Sequence, residues 1–402
     1  CRSSGSNCSA DTGMKQICVI GLGYIGLPTS SILAAKGFSV LGVDVNPSVV
    51  ETINGGRIHI TEPDLDAFVK AAVGSGKLRA ATKPEPSDVF IIAVPTPFKA
   101  GHKPDMSYVE AAARSILPVL QPGNLVILES TSPPRTCEDI IAPILAESNL
   151  KVGADVFVAH CPERVLPGQI MREVVENDRV IGGINPASAA KAKELYSAFV
   201  KGEIFLTDAT TAEMVKLVEN SFRDVNIAFA NELSMICDRL GLNVWELIRL
   251  ANRHPRVNIL RPGCGVGGHC IAVDPWFIAD VCPQEARLIR TAREVNDAKP
   301  HHVTARIRDA AARFKKPTIG LLGLSYKQDI DDLRESPAVE IAREFRNDPG
   351  VDLLVCEPFV RSHAEFALAP LDEVMRRADI VVLLVPHTVF RNIDRELLKP
   401  KV

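Results

Sequence analysis

Short apolar runs alternate with longer helical patterns through the first half of the chain. Seven of these runs have the length and the apolar content of buried strands. They are Gln16 to Ile20, Ser39 to Val43, Asp88 to Val94, Asn124 to Leu128, Asp155 to Ala159, Val180 to Gly183 and Glu203 to Thr207. Because helical stretches such as Ser107 to Leu120 and Cys137 to Glu147 lie between them, the pattern predicts an α/β fold with a doubly wound parallel sheet. Ligands of such folds bind beyond the carboxyl ends of the strands.

A helical region follows. Thr210 to Leu240 is one long helical pattern, Val244 to Asn252 is a shorter one, and Pro283 to Phe314 is a second long one. The length and the apolar width of the first predict a helix that joins two domains. Such a helix commonly buries surface against a second copy of the chain, so we expect a homodimer.

The last region returns to strands. Pro317 to Leu324, Val351 to Cys356 and Asp379 to Val385 are apolar runs of strand length. The segment S-D-V-F-I-I-A-V-P-T-P-F of the first region and the segment A-D-I-V-V-L-L-V-P-H-T-V-F of the last look like one structural unit used twice. We therefore expect two Rossmann-like doubly wound domains joined by a long central helix.

The first strand runs into a glycine motif that is typical of dinucleotide binding. Gly21, Gly23 and Gly26 stand in G-x-G-x-x-G spacing before a helical pattern that continues to Lys36. The first glycine permits a tight turn, the second lets a pyrophosphate approach the backbone, and the third permits close packing of helix on strand. Asp44 ends the next strand, where a carboxylate binds the ribose 2′-hydroxyl, so the motif predicts NAD rather than NADP.

Composition narrows the classes of partner. The chain has 402 residues, a net charge of −3 and no polybasic run, which argues against nucleic acid and against an anionic membrane surface. Its apolar runs are too short to span a bilayer. Ten cysteines are scattered without a C-x-x-C pair, which argues against a metal site or a disulfide scaffold and fits a reducing cytoplasm. Residues 1–13 are polar and read as a disordered leader.

A glycine-rich loop between Arg261 and Pro275 carries the candidate chemistry. Four glycines within six residues precede Cys270, and Asp274 follows it four residues later. A thiol beside flexible backbone amides and a carboxylate suits covalent carbonyl chemistry, which needs a nucleophile, oxyanion donors and an acid or base. A turn that carries a buried, inert cysteine is the alternative interpretation.

Other candidate residues have equally plain alternatives. Lys216, Asn220 and Arg223 share one face of the long helix, where polar residues more often form a solvated stripe. Thr96 and Thr131 follow strand ends, where they bind a ligand or merely cap a helix.

Two further groups of charged residues are candidates. Glu163 and Arg164 follow a strand end between prolines, which suggests either a substrate contact or a surface turn. His254 and Arg256 stand shortly before the cysteine loop and would suit the phosphates of a ligand.

In their order along the chain, these motifs resemble the UDP-glucose/UDP-mannose dehydrogenase family. The segments that carry the resemblance are G-L-G-Y-I-G-L-P, V-P-T-P, E-S-T-S-P-P, C-P-E-R-V-L-P-G, the Lys216/Asn220 helix, G-V-G-G-H-C-I-A-V-D-P and G-L-S-Y-K-Q-D-I-D-D-L-R-E-S-P, and they reach from about Met14 to the end. The cysteine loop and C-P-E-R-V-L-P-G look most like members that act on UDP-N-acetyl-D-mannosamine. UDP-glucose members carry a second glutamate where this chain has Pro167, so no role of that glutamate transfers.

The resemblance implies an NAD-dependent four-electron oxidation of a UDP-sugar alcohol to a carboxylate, for surface polysaccharide synthesis. Cys270 would hold the aldehyde as a thiohemiacetal and then as a thioester. By similarity, Lys216 would stabilise oxyanions and, if close, favour the thiolate. Asn220 would help to position the oxyanions, Asp274 would assist base chemistry and Glu163 would assist water activation.

The resemblance also implies binding residues and domains. Expected at the UDP-sugar are Arg164, Val165, Lys216, Asn220, Arg223, His254, Arg256, Gly267, Tyr326 and Lys327. Expected at NAD, beside the motif glycines Gly21, Gly23 and Gly26, are Tyr24, Ile25, Asp44, Thr96, Thr131 and Arg334. The implied domains are an NAD-binding domain at 14–209, a central domain with the cysteine loop at 210–314 and a UDP-sugar-binding domain at 315–402.

Three alternatives stay open at this point. The sugar could be UDP-N-acetylglucosamine, UDP-N-acetylgalactosamine or UDP-glucose, because pocket shape reads the stereochemistry. A dehydrogenase that transfers a single hydride needs no nucleophile, so an intact loop around Cys270 argues against it. A non-catalytic nucleotide-sugar sensor should have lost Cys270 or Lys216, and both are present.

Overall fold

The computed structural model describes residues 13–166, 168–268 and 270–402. Apart from Gly13, the predicted leader lies outside the described residues. The chain divides into two compact units, Cys1–Val218 and Glu219–Val402.

The first unit is built on an eight-stranded sheet. The strands of this unit are β1 (Gln16–Ile20), β2 (Ser39–Val43), β3 (Leu78–Ala81), β4 (Val89–Ile92), β5 (Phe98–Lys99), β6 (Lys103–Pro104), β7 (Leu125–Leu128), β8 (Phe157–His160), β9 (Arg179–Gly183) and β10 (Ile204–Asp208). β5 and β6 form a separate two-stranded pair outside the eight-stranded sheet. Its helices are α1 (Gly26–Ala35), α2 (Pro47–Asn54), α3 (Leu65–Gly74), α4 (Ser107–Ile116), α5 (Ala142–Ala146), α6 (Ile170–Glu176) and α7 (Pro186–Tyr196).

Strand pairing confirms most of the predicted parallel sheet and corrects one edge of it. The order across the sheet is β10-β9-β8-β7-β4-β1-β2-β3. At its centre, Ile17 of β1 pairs in parallel register with Val40 of β2 and Val89 of β4. β9, however, pairs antiparallel with β8, and β10 pairs parallel with β9. The last two strands therefore run against the others, and the sheet is mixed.

Alternate residues of the central strands face two separate apolar layers. Ile17 and Val19 of β1 pack in one layer, whereas Cys18 and Ile20 pack in the other. A strand covered on both faces reads as a continuous apolar run rather than as an alternating pattern. This is why the sequence located these strands closely, and why β1 and β2 have the predicted bounds.

The second unit contains the helical region and a smaller sheet. The remaining helices are α8 (Ala209–Leu240), which begins in the first unit, α9 (Val244–Ala251), α10 (Asp274–Val281), α11 (Arg287–Ala311), α12 (Pro337–Arg346) and α13 (Leu371–Arg377). The strands β11 (Thr318–Leu322), β12 (Asp352–Cys356) and β13 (Ile380–Leu383) form a parallel sheet in the order β12-β11-β13. The predicted class of two Rossmann-like domains joined by a long helix is confirmed. Among the described residues, no helix is long and apolar enough to cross a membrane.

Sequence reasoning missed helix α10. This helix begins at Asp274, directly after the cysteine loop, and the helix expected from Pro283 begins only at Arg287. Pro275 in the first turn of α10 is compatible with a helix start. Because six consecutive residues of α10 are buried, the segment lacks the amphipathic period by which a surface helix is found.

A chain of buried polar side chains ties α8 to α11. Asp224 of α8 accepts hydrogen bonds from Arg293 at 2.6 Å and from Asn296 at 2.8 Å. Asn296 in turn accepts one from Asn231 of α8 at 2.9 Å. The desolvation cost of a buried charge is offset only when the charge is paired. Because a shift of one helix along the other would break these pairs, the contacts fix the register of the two helices.

Candidate active site

The predicted cofactor residues of the first unit lie at the carboxyl ends of adjacent parallel strands. β1, β4 and β7 are neighbours in the sheet and run in the same direction. Thr96 and Thr131 follow β4 and β7, and both are half-buried. The Ser130 hydroxyl donates to the carbonyl oxygen of Val94 at 2.7 Å, which joins the two segments that carry the threonines.

The turn between β1 and α1 is shaped for a close ligand. A Cβ on Gly21 would lie 2.5 Å from the carbonyl oxygen of Ala93, and one on Gly26 would lie 1.8 Å from that of Gly21. Around Gly23, a Cβ would meet no atom of the described residues within 4 Å, its chain neighbours apart. This open space and the N–H groups at the start of α1 fit a pyrophosphate. Tyr24, which is exposed, borders the turn.

Asp44 follows β2 and holds the neighbouring backbone. Its carboxylate accepts the N–H of Leu22 at 3.2 Å and the N–H of Asn46 at 2.9 Å. A carboxylate has about four acceptor positions, so these two bonds leave capacity for ribose hydroxyls.

Glu163 lies past the end of β8 and is buried against a cation. Its carboxylate is 2.7 Å from the guanidinium of Arg179, and both side chains are buried. The N–H of Arg164 donates to the other carboxylate oxygen at 2.7 Å. Burial by itself would lower the pKa of Arg179. The charge of Glu163 and those of neighbouring groups raise this pKa by more than burial lowers it, so the net shift is upward. This pairing argues against the surface-turn interpretation of Glu163.

A second buried carboxylate, Glu129, was missed by sequence reasoning. Tyr196 donates a hydrogen bond to it at 2.5 Å. Burial, followed by the charge of Glu163, raises the pKa of Glu129 to about 7. The guanidinium of Arg179 lies 5.5 Å from the centre of the Tyr196 ring. The only signal in the sequence was a charged residue at the end of an apolar run, in E-S-T-S-P-P.

Three of the predicted reactive residues come together in the second unit. Cys270 is exposed, and its carbonyl oxygen accepts the N–H of Asp274 at 2.8 Å. The buried side chain of Asp274 accepts a hydrogen bond from the Asn220 amide at 2.6 Å. Lys216 stands one turn before Asn220 on α8 and is half-buried. The exposure of Cys270 excludes the alternative of a buried, inert cysteine.

The glycine loop packs closely on a segment of the C-terminal region. A Cβ on Gly267 would lie 2.3 Å from the carbonyl oxygen of Glu335, and one on Gly268 would lie 2.8 Å from the ring of Tyr326. Gly268 has a φ of +85° and donates its N–H to the carbonyl oxygen of Arg334 at 3.2 Å. Gly267 and Tyr326, two residues predicted at the substrate, are thus brought into contact.

Cys270 and Tyr326 lie near enough to interact electrostatically. Burial is the largest cause that raises the pKa of Tyr326, and the charges of Asp332 and Cys270 raise it further.

The start of the cysteine loop is held by α8, because Asn231 accepts the N–H of Gly263 at 2.9 Å. Contacts on both sides of Cys270 therefore fix the loop.

The other predicted binding residues lie mostly at the surface. Arg223, His254, Arg256, Lys327 and Arg334 are exposed. Arg334 forms an ion pair with Asp332 at 2.6 Å. In the first unit, Arg164 donates to the carbonyl oxygen of Asp178 at 2.5 Å, and Val165 packs against an apolar layer. Their roles toward a ligand stay predictions.

Cys137, His160 and Glu213 bring three potential metal ligands together, although the sequence predicted no metal site. Their ligand atoms lie within 4.8 Å of one another, and all three residues are buried. The two carboxylate oxygens of Glu213, however, accept the backbone N–H groups of Arg135 at 2.5 Å and of Cys137 at 2.8 Å. Burial raises the pKa of Glu213 to about 7 and that of the Cys137 thiol well above its usual value. These bonds explain Glu213 as a cap on the helical turn at Cys137, and we assign no metal to the cluster.

Three consecutive parts of the chain match one family. Residues 15–200 match the NAD binding domain of the UDP-glucose/GDP-mannose dehydrogenase family, residues 210–298 its central domain, and residues 320–402 its UDP binding domain. The chain belongs to this family. The resemblance is confirmed, although the second nucleotide sugar in the family's description is GDP-mannose rather than UDP-mannose.

Close relatives support an NAD-dependent nucleotide-sugar dehydrogenase. The chain is 57% identical over 403 residues to the NDP-N-acetyl-D-galactosaminuronic acid dehydrogenase of Ralstonia nicotianae. This alignment covers 98% of this chain and 95% of the relative. It is 56% identical over 399 residues to the UDP-N-acetyl-D-mannosamine dehydrogenase of Escherichia coli, with 94% and 95% covered. The structure of the UDP-N-acetyl-mannosamine dehydrogenase of S. aureus superimposes with a TM-score of 0.89, at 43% identity and with 96% and 93% covered.

We expect Gly268→Ala to lower the rate of NADH formation about tenfold or more, and Gly263→Ala to leave it near the wild-type value. At Gly268, a Cβ would meet the Tyr326 ring in a left-handed backbone conformation, whereas at Gly263 its nearest contact is 3.9 Å away. Strain of this kind costs on the order of 1–3 kcal/mol. Steady-state kinetics measure the rates, and urea unfolding checks both folds. Equal rates for the two variants would contradict the close packing of the loop.

Glu129 should make the stability of the enzyme depend on pH. Because its pKa in the folded protein is about 7 instead of the usual 4.5, the folded state binds more protons than the unfolded chain between these values. The free energy of unfolding should therefore fall as pH rises through this window, by up to about 3 kcal/mol. Glu129→Gln keeps an acceptor for Tyr196 but does not titrate, so its stability should fall less between pH 5 and pH 8.

Urea unfolding at several pH values measures this difference. Glu110→Gln, at an exposed position of α4, is the control and should follow the wild type. Parallel pH curves for the wild type and Glu129→Gln would show that Glu129 does not titrate in this range.

Proposed function

We propose that this enzyme oxidises the primary alcohol of UDP-N-acetyl-D-mannosamine to a carboxylate, in two hydride transfers to NAD. The observation that carries the proposal is the exposed Cys270, on a loop that packs on Tyr326. Four residues after Cys270, the buried Asp274 accepts a hydrogen bond from Asn220. An enzyme that stops at the aldehyde needs no nucleophile at this position.

NAD would be held at the strand ends of the first unit. The residues that we assign to it are Gly21, Gly23, Tyr24, Ile25, Gly26, Asp44, Thr96 and Thr131. The open space beside Gly23 supports the placement of the pyrophosphate. When bound, the nicotinamide supplies the hydride acceptor of both oxidation steps.

The first oxidation needs a base and a stabilised oxyanion. Asp274 would assist removal of the hydroxyl proton, and the ammonium group of Lys216 would hold the negative charge that develops on oxygen. Asn220 would donate a further hydrogen bond to this oxygen. Its amide already bonds Asp274, so the carboxylate orients the amide.

Cys270 would then keep the aldehyde on the enzyme. The thiolate adds to the carbonyl carbon, a C–S bond forms, and the carbonyl electron pair becomes an alkoxide that is stabilised by Lys216. Loss of the second hydride converts this thiohemiacetal into a thioester. Water would then add to the thioester carbon, with Glu163 accepting one of its protons and solvent the other; the C–S bond breaks, the carboxylate leaves as product and the Cys270 thiolate is regenerated.

The uridine diphosphate would be bound by residues around the cysteine loop. Tyr326 and Gly267 are in contact in the second unit, and Lys327, Arg223, His254 and Arg256 are exposed there. Exposed arginine and lysine side chains are suited to diphosphate oxygens, and a histidine N–H can donate a hydrogen bond to them. We assign the same role to Arg164, with Val165 as an apolar contact.

UDP-N-acetyl-D-galactosamine is the rival substrate. A relative at 57% identity is named for N-acetyl-D-galactosaminuronic acid, and one at 56% for N-acetyl-D-mannosamine, so identity does not separate the two sugars. We favour the mannosamine derivative because the segments G-G-H-C-I-A-V-D-P-W-F and C-P-E-R-V-L-P-G resemble enzymes of that sugar.

We further propose a homodimer through α8. Phe222, Phe229 and Ile236 recur every seven residues along this helix and are exposed by 69%, 52% and 45%. Seven residues are close to two helical turns, so the three side chains share one face. Leu240 and Trp245, exposed by 63% and 58%, extend the apolar surface. A second copy of the same helix, related by a twofold axis, would cover this row of apolar side chains.

The wild-type enzyme should form two NADH per sugar, and Cys270→Ala should form at most one. Without the thiol, the aldehyde is not held for the second oxidation, so the overall rate should fall by about 1,000-fold or more. Absorbance at completion measures the yield. Cys282→Ala removes another exposed cysteine and should keep both the yield and the rate. Two NADH from Cys270→Ala would overturn the covalent mechanism.

Among UDP-sugars, we expect UDP-N-acetyl-D-mannosamine to have the highest kcat/KM. The comparison should include UDP-N-acetyl-D-galactosamine, UDP-N-acetyl-D-glucosamine and UDP-glucose. A higher kcat/KM with another of these sugars would refute the substrate assignment but keep the chemistry of Cys270. No NADH from any of them would favour a nucleotide-sugar sensor.

Phe229→Asp should convert the dimer to a monomer, because a charge in the centre of the apolar row would be buried without a partner. Sedimentation equilibrium measures the mass. Leu397→Asp, at another exposed apolar position, should leave the mass unchanged. A monomeric wild type, or a Phe229→Asp variant that stays dimeric, would contradict the proposed interface.

A further inference from the structure

The C-terminal domain contains a fully buried histidine that the proposed chemistry does not use. His387 follows β13 and has no exposed surface. Its Nδ1 accepts the backbone N–H of Asp329 at 2.9 Å, and its Nε2 lies 3.1 Å from the carboxylate of Glu357. The hydroxyl of Ser325 is 3.2 Å from the same Nε2. A buried polar side chain with this many partners fixes the groups that it bonds.

The partners assign the tautomer of the ring. Because Nδ1 accepts an N–H, it carries no proton, and the neutral imidazole carries its proton on Nε2. That proton is directed at Glu357, which also accepts the backbone N–H groups of Leu324 at 2.6 Å and of Ser325 at 3.0 Å. Glu357 and His387 therefore hold the backbone of one segment, Ser325 to Asp329, near both of its ends.

The far end of this segment is bonded a second time. Asp329 has a φ of +60°, and its carboxylate accepts the N–H of Thr388 at 2.7 Å. Within the segment, the Ser325 hydroxyl donates to the carbonyl oxygen of Lys327 at 2.7 Å. These bonds hold the backbone at Ser325, Lys327 and Asp329 and the side chain of Asp329, and none of them involves the outer atoms of the Tyr326 or Lys327 side chain.

The held segment bears directly on the cysteine loop. A Cβ added to Gly268 would lie 2.8 Å from the Tyr326 ring. A Cβ added to Gly267 would lie 2.9 Å from the Cβ of Tyr326. A shift of the segment would thus move the surface on which the cysteine loop rests.

We propose that His387 is a positioning residue for the substrate site. By accepting the N–H of Asp329, it holds Tyr326 and Lys327 in the conformation that binds the nucleotide and supports the cysteine loop. This inference rests on the proposed function, in which these two side chains contact the UDP-sugar.

Two substitutions separate the bonds of the ring. In His387→Gln, the amide nitrogen stands near the position of Nε2 and still donates to Glu357, but the N–H of Asp329 loses its acceptor. In His387→Asn, the amide oxygen stands near the position of Nδ1 and still accepts from Asp329. The matched control is His363→Gln, because Nδ1 of His363 also accepts a backbone N–H, that of Glu365 at 3.0 Å, in another loop of the same domain.

The affinity for UDP, measured by titration calorimetry, and the KM for the UDP-sugar are the first readouts. We expect His387→Gln to raise the dissociation constant of UDP and the KM for the UDP-sugar roughly tenfold. His387→Asn should keep both constants within about threefold of the wild-type values, and His363→Gln should match the wild type. The KM for NAD should not change in any variant. The rate at which iodoacetamide alkylates Cys270 should change in His387→Gln only.

Thermal unfolding of the same variants separates positioning from stability. If His387→Gln and His387→Asn lose UDP affinity equally, in proportion to their melting temperatures, His387 has only a structural role and the proposal fails. It also fails if His387→Gln binds UDP as the wild type does. A wild-type enzyme that neither binds UDP nor oxidises a UDP-sugar would instead refute the proposed function, so the two failures are distinguishable.

Discussion

The cysteine loop reaches its place only because Gly267 and Gly268 have no side chains. A Cβ at either position would enter the carbonyl of Glu335 or the ring of Tyr326. Overlap of that size forces backbone to move, since packed interiors do not deform continuously. Cys270 is therefore placed by a contact between a central loop and the C-terminal domain. This contact links the chemistry of Cys270 to the segment that we assign to the nucleotide.

Buried polar contacts position helices and loops of the second unit. Asp224, Asn231, Arg293 and Asn296 fix α8 against α11, and Asn231 also holds the start of the cysteine loop. Such groups add little net stability, because pairing must first offset their desolvation. Their value lies in geometry: each has few partners that satisfy it, so the helices pack in one register. Glu357 and His387 act in the same way on the backbone around Tyr326.

Sequence reasoning predicted the candidate reactive groups that stand in a motif, and it missed Glu129 and helix α10, which only the fold defines. Cys270, Asn220 and Asp274 were predicted because a thiol after four glycines and an amide on a helix face are visible in the sequence. Glu129 was missed because an isolated acid after an apolar run gives no sign that Glu163 will lie near it. Helix α10 was missed because its buried residues carry no amphipathic period.

The sequence by itself determined the alternation of strands and helices and the glycine turn that is typical of dinucleotide binding, and it predicted Cys270 as the reactive thiol. These properties depend on residues close together in the chain, where period, length and backbone freedom act locally. Only the tertiary structure decided that β9 and β10 run against the other strands, that Cys270 is exposed, and that Asn220 meets Asp274 across 54 residues. Contacts of this kind depend on how distant elements pack and desolvate one another, and no local pattern specifies that.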